Sequence, residues 1–144
     1  MSKQVNRYLK DKTFDRIDHA LGRPVDPMAD TYREYFATDK SGDLADEFRQ
    51  SLYWVEGKSC GDMGFFYVTR AGRAALAAHL REIKDPHRSY SVKYDAGHAI
   101  GDIHVIATSH SKAKAAAYYE ISDCFTDLTM GEFFKSVKSV RLSA

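Results

Sequence analysis

Pro86 lies past the middle of the 144-residue chain, in the polar run KDPHRS, and it constrains the fold more than any other residue. Proline cannot continue a helix, and it pushes the residue before it out of the helical region, so no helix is expected to cross Asp85-Pro86. Each side must then assemble its own elements, residues 1–84 on one and 85–144 on the other. Domains commonly run to about 100–150 residues and shorter ones bury proportionally less surface. Each half therefore builds a thin core, and the second is expected to pack on the first.

In the first half the apolar spacing is helical. Phe14, Ile17 and Leu21 recur at i, i+3, i+7, with Thr13 as a cap and Gly22 as a stop. After the turn-rich RPVDPMAD, Asp30 can cap a second helix carrying Tyr32, Tyr35 and Phe36, and Ser41-Gly42 breaks the chain before a third, Asp43 to Gln50. The period then changes. SLYWV and MGFFYVT are short aromatic and β-branched runs on either side of EGKSCGD, which is a hairpin signal. Thr69 caps a helix from Arg70 to Ile83, with Leu76, Leu80 and Ile83 on one stripe. Three helical pieces, a hairpin and a helix follow the order of a winged helix, so residues 1–84 read as a winged-helix-like half.

Beyond Pro86, SYSVKY and DIHVIAT are two strands around DAGHAIG. Ser109 or Ser111 caps a helix to about Asp123 whose stripe is Ala113, Ala117, Ile121 and Cys124. Thr129 to Glu132 matches a capping box that starts a last short helix with Phe133 and Phe134, and the alternating tail SVKSVRL returns as an edge strand. The fold class is α+β, with a β-hairpin, two helices and an edge strand in the second half.

Charge removes some functions from consideration. There are 21 Lys and Arg against 20 Asp and Glu. Residues 1–84 carry 14 basic and 13 acidic side chains and residues 85–144 carry 7 and 7, so neither half is a basic module made for nucleic acid. The N-terminal MSKQVNRYLKDK has no apolar core of a signal sequence and no stretch reaches the roughly 20 apolar residues of a membrane span, which implies a cytoplasmic protein with no membrane partner. Cys60 and Cys124, 64 residues apart, read as small apolar fillers rather than a disulfide.

The candidate sites follow from this pattern. The would-be reading helix presents Asp43, Asp46 and Glu47 against Arg49, and carboxylates repel a phosphate backbone. Together with Tyr53 and Trp54, these acids form a candidate contact region for a protein partner, since aromatic residues concentrate at interfaces and acidic helices suit basic partners. Arg70 and Arg73, with Ser109, Ser111, Lys112 and Lys114 at a strand-to-helix junction, form the candidate anion or nucleic-acid set. The stretch SHSKAK also resembles the Ser-Lys-Lys stretch of double-stranded-RNA-binding domains, though those place one helix before three strands. Its plainer reading is a serine cap with lysines solvating the helix start. His98, His104 and His110 are spaced six apart, which matches no common zinc-ligand spacing, so neither a metal nor another cofactor is expected. No nucleophile elbow, phosphate loop or dinucleotide fingerprint is present, so no catalytic residue is assigned and a non-enzymatic role is expected. Of the 18 aromatic residues, neighbours such as Phe65-Phe66-Tyr67 on a strand point to opposite faces, so some must lie on a surface.

The segments HALGRP, YREYFATD and FFYVTRAGRAALAAHL resemble small proteins that recur in bacteriophages and prophages, and VIATSHSKAKAAAYYEISDCFTDLTMGEFF resembles another stretch found in phage proteins. The resemblance implies a setting and no catalytic residue. The expected function is binding a host or phage protein, in regulation or in inhibiting a host system such as a nucleic-acid-handling defence complex. A nucleic-acid-binding accessory or transcriptional regulator is the alternative, and a homodimer is a further option.

Overall fold

Alternating polar and apolar residues in the hairpins and helical spacing between them produce an α+β chain, described for residues 4–143 by a computed structural model. The chain divides into two compact units, Met1–Asp85 and Pro86–Ala144.

In the first unit, helix α1 (Lys12–Ala20) precedes strand β1 (Tyr35–Asp39), helix α2 (Asp43–Gln50), strands β2 (Trp54–Glu56) and β3 (Met63–Val68), and helix α3 (Arg70–Glu82). The strands form an antiparallel sheet in the order β1-β3-β2, with Tyr35 opposite Tyr67 and Val55 opposite the same Tyr67. Because side chains alternate across a strand, Phe66 and Val68 enter the core while Phe65 and Tyr67 face the other way. All three helices supply the covered face: Ile17, Ala20 and Leu21, then Ala45 and Phe48, then Leu76 and Leu80 pack with Trp54, Phe66 and Val68.

The second of the expected helical pieces does not form. Tyr35 and Phe36 are in β1, paired along its whole length with β3. Aromatic residues suit a half-buried pleated surface, and here Phe36 packs against the core while Tyr35 lies outside it. The three successive helices from which a winged-helix order starts are thus a helix, a strand and a helix. At α1 the cap is Asp11, not Thr13: its carboxylate accepts from the Thr13 N–H at 3.0 Å, so the helix starts earlier than expected. Gly22 at φ +80° does end that region, with the Tyr32 ring lying where a Cβ would project. Thr69 caps α3, accepting from the Gly72 N–H at 3.1 Å. Ile83 is outside the core, since α3 stops at Glu82 and Lys84 turns the chain at φ +57° just ahead of Pro86.

The segment before α1 is the least expected part of this unit. Val5, Arg7 and Leu9 are buried while Gln4, Asn6, Tyr8 and Lys10 are exposed, and the Val5 N–H donates to the Arg23 carbonyl at 2.7 Å. Asp18 on α1 has no solvent exposure. Arg7 grips its carboxylate through Nη2 at 2.7 Å and Nε at 3.0 Å, and Arg23 adds Nη1 at 3.1 Å. Arg7 also donates to the Pro24 carbonyl at 2.7 Å and to Asp85 at 3.2 Å, and Arg23 to Asp15 at 2.8 Å.

In the second unit, strands β4 (Arg88–Asp95) and β5 (Ile100–Ala107) form the hairpin, followed by helices α4 (His110–Ile121) and α5 (Met130–Ser136) and strand β6 (Val137–Leu142). The sheet order is β5-β4-β6, so the tail is an edge strand, with a register shift at Lys93/Tyr94. Tyr90, Val92 and Tyr94 point into a core with Val105, Ala113, Ala117, Leu128 and Phe133. The Thr129 hydroxyl accepts from the Glu132 N–H at 3.2 Å and donates to the Glu132 carboxylate at 2.9 Å, so the expected Thr129/Glu132 pair caps α5 through the threonine hydroxyl. Cys124 lies beyond the end of α4 and is exposed, as is Cys60 in the β2–β3 loop, so neither fills a core.

Two outcomes test the buried ion cluster. Asp18→Ala strands two guanidiniums with buried surroundings and is expected to cost about 3–5 kcal/mol in denaturant unfolding, whereas Asp43→Ala, on an exposed helix start, should stay within about 0.5 kcal/mol. Partial burial pushes the Asp15 carboxyl up, but the Arg23 hydrogen bond, the Leu9 N–H and the Arg23 and Lys12 charges outweigh it and hold the group below its ordinary 3.8. A depressed folded value contributes stability above pH 3.8 that is lost as pH falls below it. Asp15→Asn should therefore be less stable than the parent at neutral pH, with the gap closing in acid-unfolding curves below that value.

Candidate interaction surface

Helix α2 follows the sequence closely but its charges turn inward on the protein. The Asp46 carboxylate accepts from Arg49 at 2.9 Å, the same guanidinium bonds Glu56 on β2 at 2.9 Å and the Lys40 carbonyl at 2.8 Å, and Glu47 pairs with Arg16 of α1 at 3.2 Å. The Arg49 hydrogen bond to Glu56 is the main cause holding that carboxyl below its usual range. Exposed pairs add little stability each, yet they neutralise the helix locally. Asp43 alone of the three proposed acids is without an ion pair among the described residues. The acidic contact surface expected at Asp43, Asp46 and Glu47 is thus reduced by Arg16 and Arg49, with Asp46 and Glu47 engaged and Asp43 left over.

Trp54 requires a second correction. It is 7% exposed and stacks on Phe48 with ring centroids 4.2 Å apart, so it is a core residue and cannot meet a partner. Tyr53 is half-buried against Phe14. The inward face of β2 claims Trp54 because its neighbour in register, Val68, is itself a core residue.

The basic candidates separate as well. Arg73 is not available to an anion: it donates to the Pro27 and Ala29 carbonyls, both at 3.0 Å, to the Thr31 hydroxyl at 3.1 Å and to Glu34 at 3.2 Å, clamping the loop that leads to β1 onto α3. Arg70 is exposed at the start of α3. In the second unit Ser109 caps α4, accepting from the Lys112 N–H at 3.2 Å, and Ser111 and Lys112 are exposed with Lys114 half-buried. His98 lies against Phe125 and His110 against Tyr90, while His104 stands on β5 opposite Ser91. No cluster of three His, Cys, Asp or Glu able to hold a metal occurs among the described residues. Ser91 donates its hydroxyl proton to Asp102, so this serine is hydrogen-bonded to a carboxylate and not to the neighbouring imidazole that would activate it.

The side chains left over lie on the outer face of the first sheet. Tyr35 on β1 is 40% exposed, Tyr67 on β3 is 38%, Val55 on β2 is 55% and Met63 on β3 is 43%. Phe65 lies half-buried among them, its ring 5.8 Å from that of Tyr35, which is 6.4 Å from that of Tyr67. Gly57 allows this arrangement, since the Tyr67 ring occupies the place of a Cβ there. These residues come together because β1 pairs with β3, and the sequence signal that finds two of them is the alternation in MGFFYV, which separates Phe65 and Tyr67 from Phe66. Tyr35 carries no such signal, since its spacing with Tyr32 and Phe36 reads as helical. A separate concavity of ≈ 480 Å³ lies between the N-terminal arm and α3, lined by Tyr8, Leu9, Lys10, Asp11, His79 and Ile83.

Comparison with protein-family models, with curated proteins and with solved structures finds no match. No helix is long and apolar enough to cross a membrane among the described residues.

The clamp reading of Arg73 gives a direct expectation. Arg73→Ala should cost about 1–3 kcal/mol through its unpaired carbonyls and open residues 24–34 to limited proteolysis, while Arg70→Ala leaves both unfolding and cleavage unchanged.

Proposed function

We propose that this chain is a non-enzymatic binding protein of bacteriophage type that acts by protein contact, in regulation or in inhibiting a host system such as a nucleic-acid-handling defence complex. The observation that carries this reading is the outer face of the first sheet, where Tyr35, Tyr67, Val55 and Met63, with Phe65 half-buried among them, form an exposed apolar patch among the described residues. Patches of this kind mark contact sites, and tyrosine is favoured at them. The near-equal charge count and the internal pairing of Arg16, Arg49 and Arg73 weigh against a nucleic-acid role, which depends on free cations facing phosphates. The contact region moves accordingly, from the acidic α2 with Trp54 to the aromatic sheet face. The phage setting rests on the sequence resemblance.

The test is capture from a bacterial lysate on immobilised protein, run beside the Tyr35→Ser/Tyr67→Ser variant. Proteins retained by the parent, lost by the variant and little affected by salt are expected. Recovery of nucleic acid alone, with affinity falling steeply against the logarithm of salt concentration, would overturn the reading.

A further inference from the structure

We propose that the aromatic face of β1 and β3 is the docking site for a short, extended, proline-containing peptide segment of a partner. This deepens the protein-contact reading and rests on it. Size is the first reason. With Tyr35 and Tyr67 each about 40% exposed, and aromatic side chains of ~150–250 Å², the patch offers on the order of 300 Å², Val55 and Met63 included. A stable interface between folded surfaces needs about 800 Å² per partner, so this patch by itself falls short of what a second copy of this chain would have to bury, whereas a short segment can be covered by it. Met63 to Tyr67 spans about 13 Å at a strand's rise per residue, the length of about four residues of polyproline II.

Chemistry is the second reason. Among the described residues the hydroxyls of Tyr35 and Tyr67 make no hydrogen bond, so both can donate. A polyproline II segment has no internal hydrogen bonds and offers bare carbonyls as acceptors, and its prolines bring no N–H that this face would have to satisfy. Aromatic-lined surfaces are where such proline-rich segments dock. A nucleic-acid strand on the same rings would run toward the Asp39 carboxylate, which stands opposite Met63, while the hydrogen bonds of Arg33, 5.9 Å from the Tyr35 ring, go to the His19 and Ala20 carbonyls at 2.7 and 3.3 Å.

The experiment titrates the full chain, labelled for amide NMR, with a capped ten-residue proline peptide and with a glycine-serine peptide of equal length. Saturable shifts at Tyr35, Phe65 and Tyr67 with the proline peptide only, persisting at about 0.5 M salt, are expected. Affinity should fall at least tenfold in Tyr35→Ser/Tyr67→Ser, fall also in Gly57→Ala, which displaces the Tyr67 ring, and stay unchanged in Tyr119→Ser on α4. Thermal unfolding of each variant checks that the fold is kept, and Gly57→Ala preserves both hydroxyls if the double variant unfolds. The proposal is overturned by equal binding of the glycine-serine peptide, by no saturable shift, by salt-sensitive binding of a thymidine oligonucleotide at these rings, or by self-association that Tyr67→Ser abolishes. If the proline peptide fails while tyrosine-dependent protein capture persists, this inference falls and the protein-contact reading stands.

Discussion

A fully buried carboxylate organises the first unit. Asp18 sits on a nine-residue helix with no solvent exposure, a position that an ionised group tolerates only when it is paired and hydrogen-bonded. Its partners come from both sides in sequence: Arg7 from the arm before α1 and Arg23 from the turn after it. Arg7 reaches Asp85 as well, so the first described residues of the unit and its last are fastened to the same helix. Arg23 takes φ +52°, a region that non-glycine residues rarely adopt, and its guanidinium is held by Asp15 and Asp18. Replacing such a cluster by apolar residues could be neutral or stabilising in free energy. What it supplies here is register, since only one placement of the arm puts Arg7 against Asp18.

The same habit of internal pairing explains the protein's electrostatic character. A near-equal count of charges can be read as a neutral surface or as separate patches of opposite sign, and the fold decides between them. Arg16 meets Glu47, Arg49 lies between Asp46 and Glu56, and Arg73 holds Glu34 together with a loop. Apart from Arg49–Asp46, which lies within α2, these pairs tie separate segments of the unit together. The charges of the helices are thus engaged largely with one another, while on the outer sheet face Tyr35 and Tyr67 stand side by side because the strands pair.

Local rules carried the reading of several elements well. The Thr69 and Thr129 caps, the two hairpins, α2, α3 and α4, and the return of the tail as a strand all depend on residues near one another in the chain, and each forms. The misreadings have one feature in common. Tyr35 and Phe36 became a strand because β3, whose partner residues Tyr67 and Phe66 lie far along the chain, offered an edge. Trp54, Glu47 and Arg73 changed role because their neighbours in space, Phe48, Arg16 and the 27–34 loop, could be known only once the unit had closed.

The sequence by itself determined the α+β class and most element positions, because hydrophobic period, capping residues and proline and glycine act over a few residues. Tertiary structure alone decided which polar side chains are sequestered and which aromatic residues remain on the surface. Those outcomes depend on strand pairing and on burial of Asp18, Arg7 and Arg23, in which residues distant along the chain lose water and satisfy one another, and no local pattern records who the partner will be.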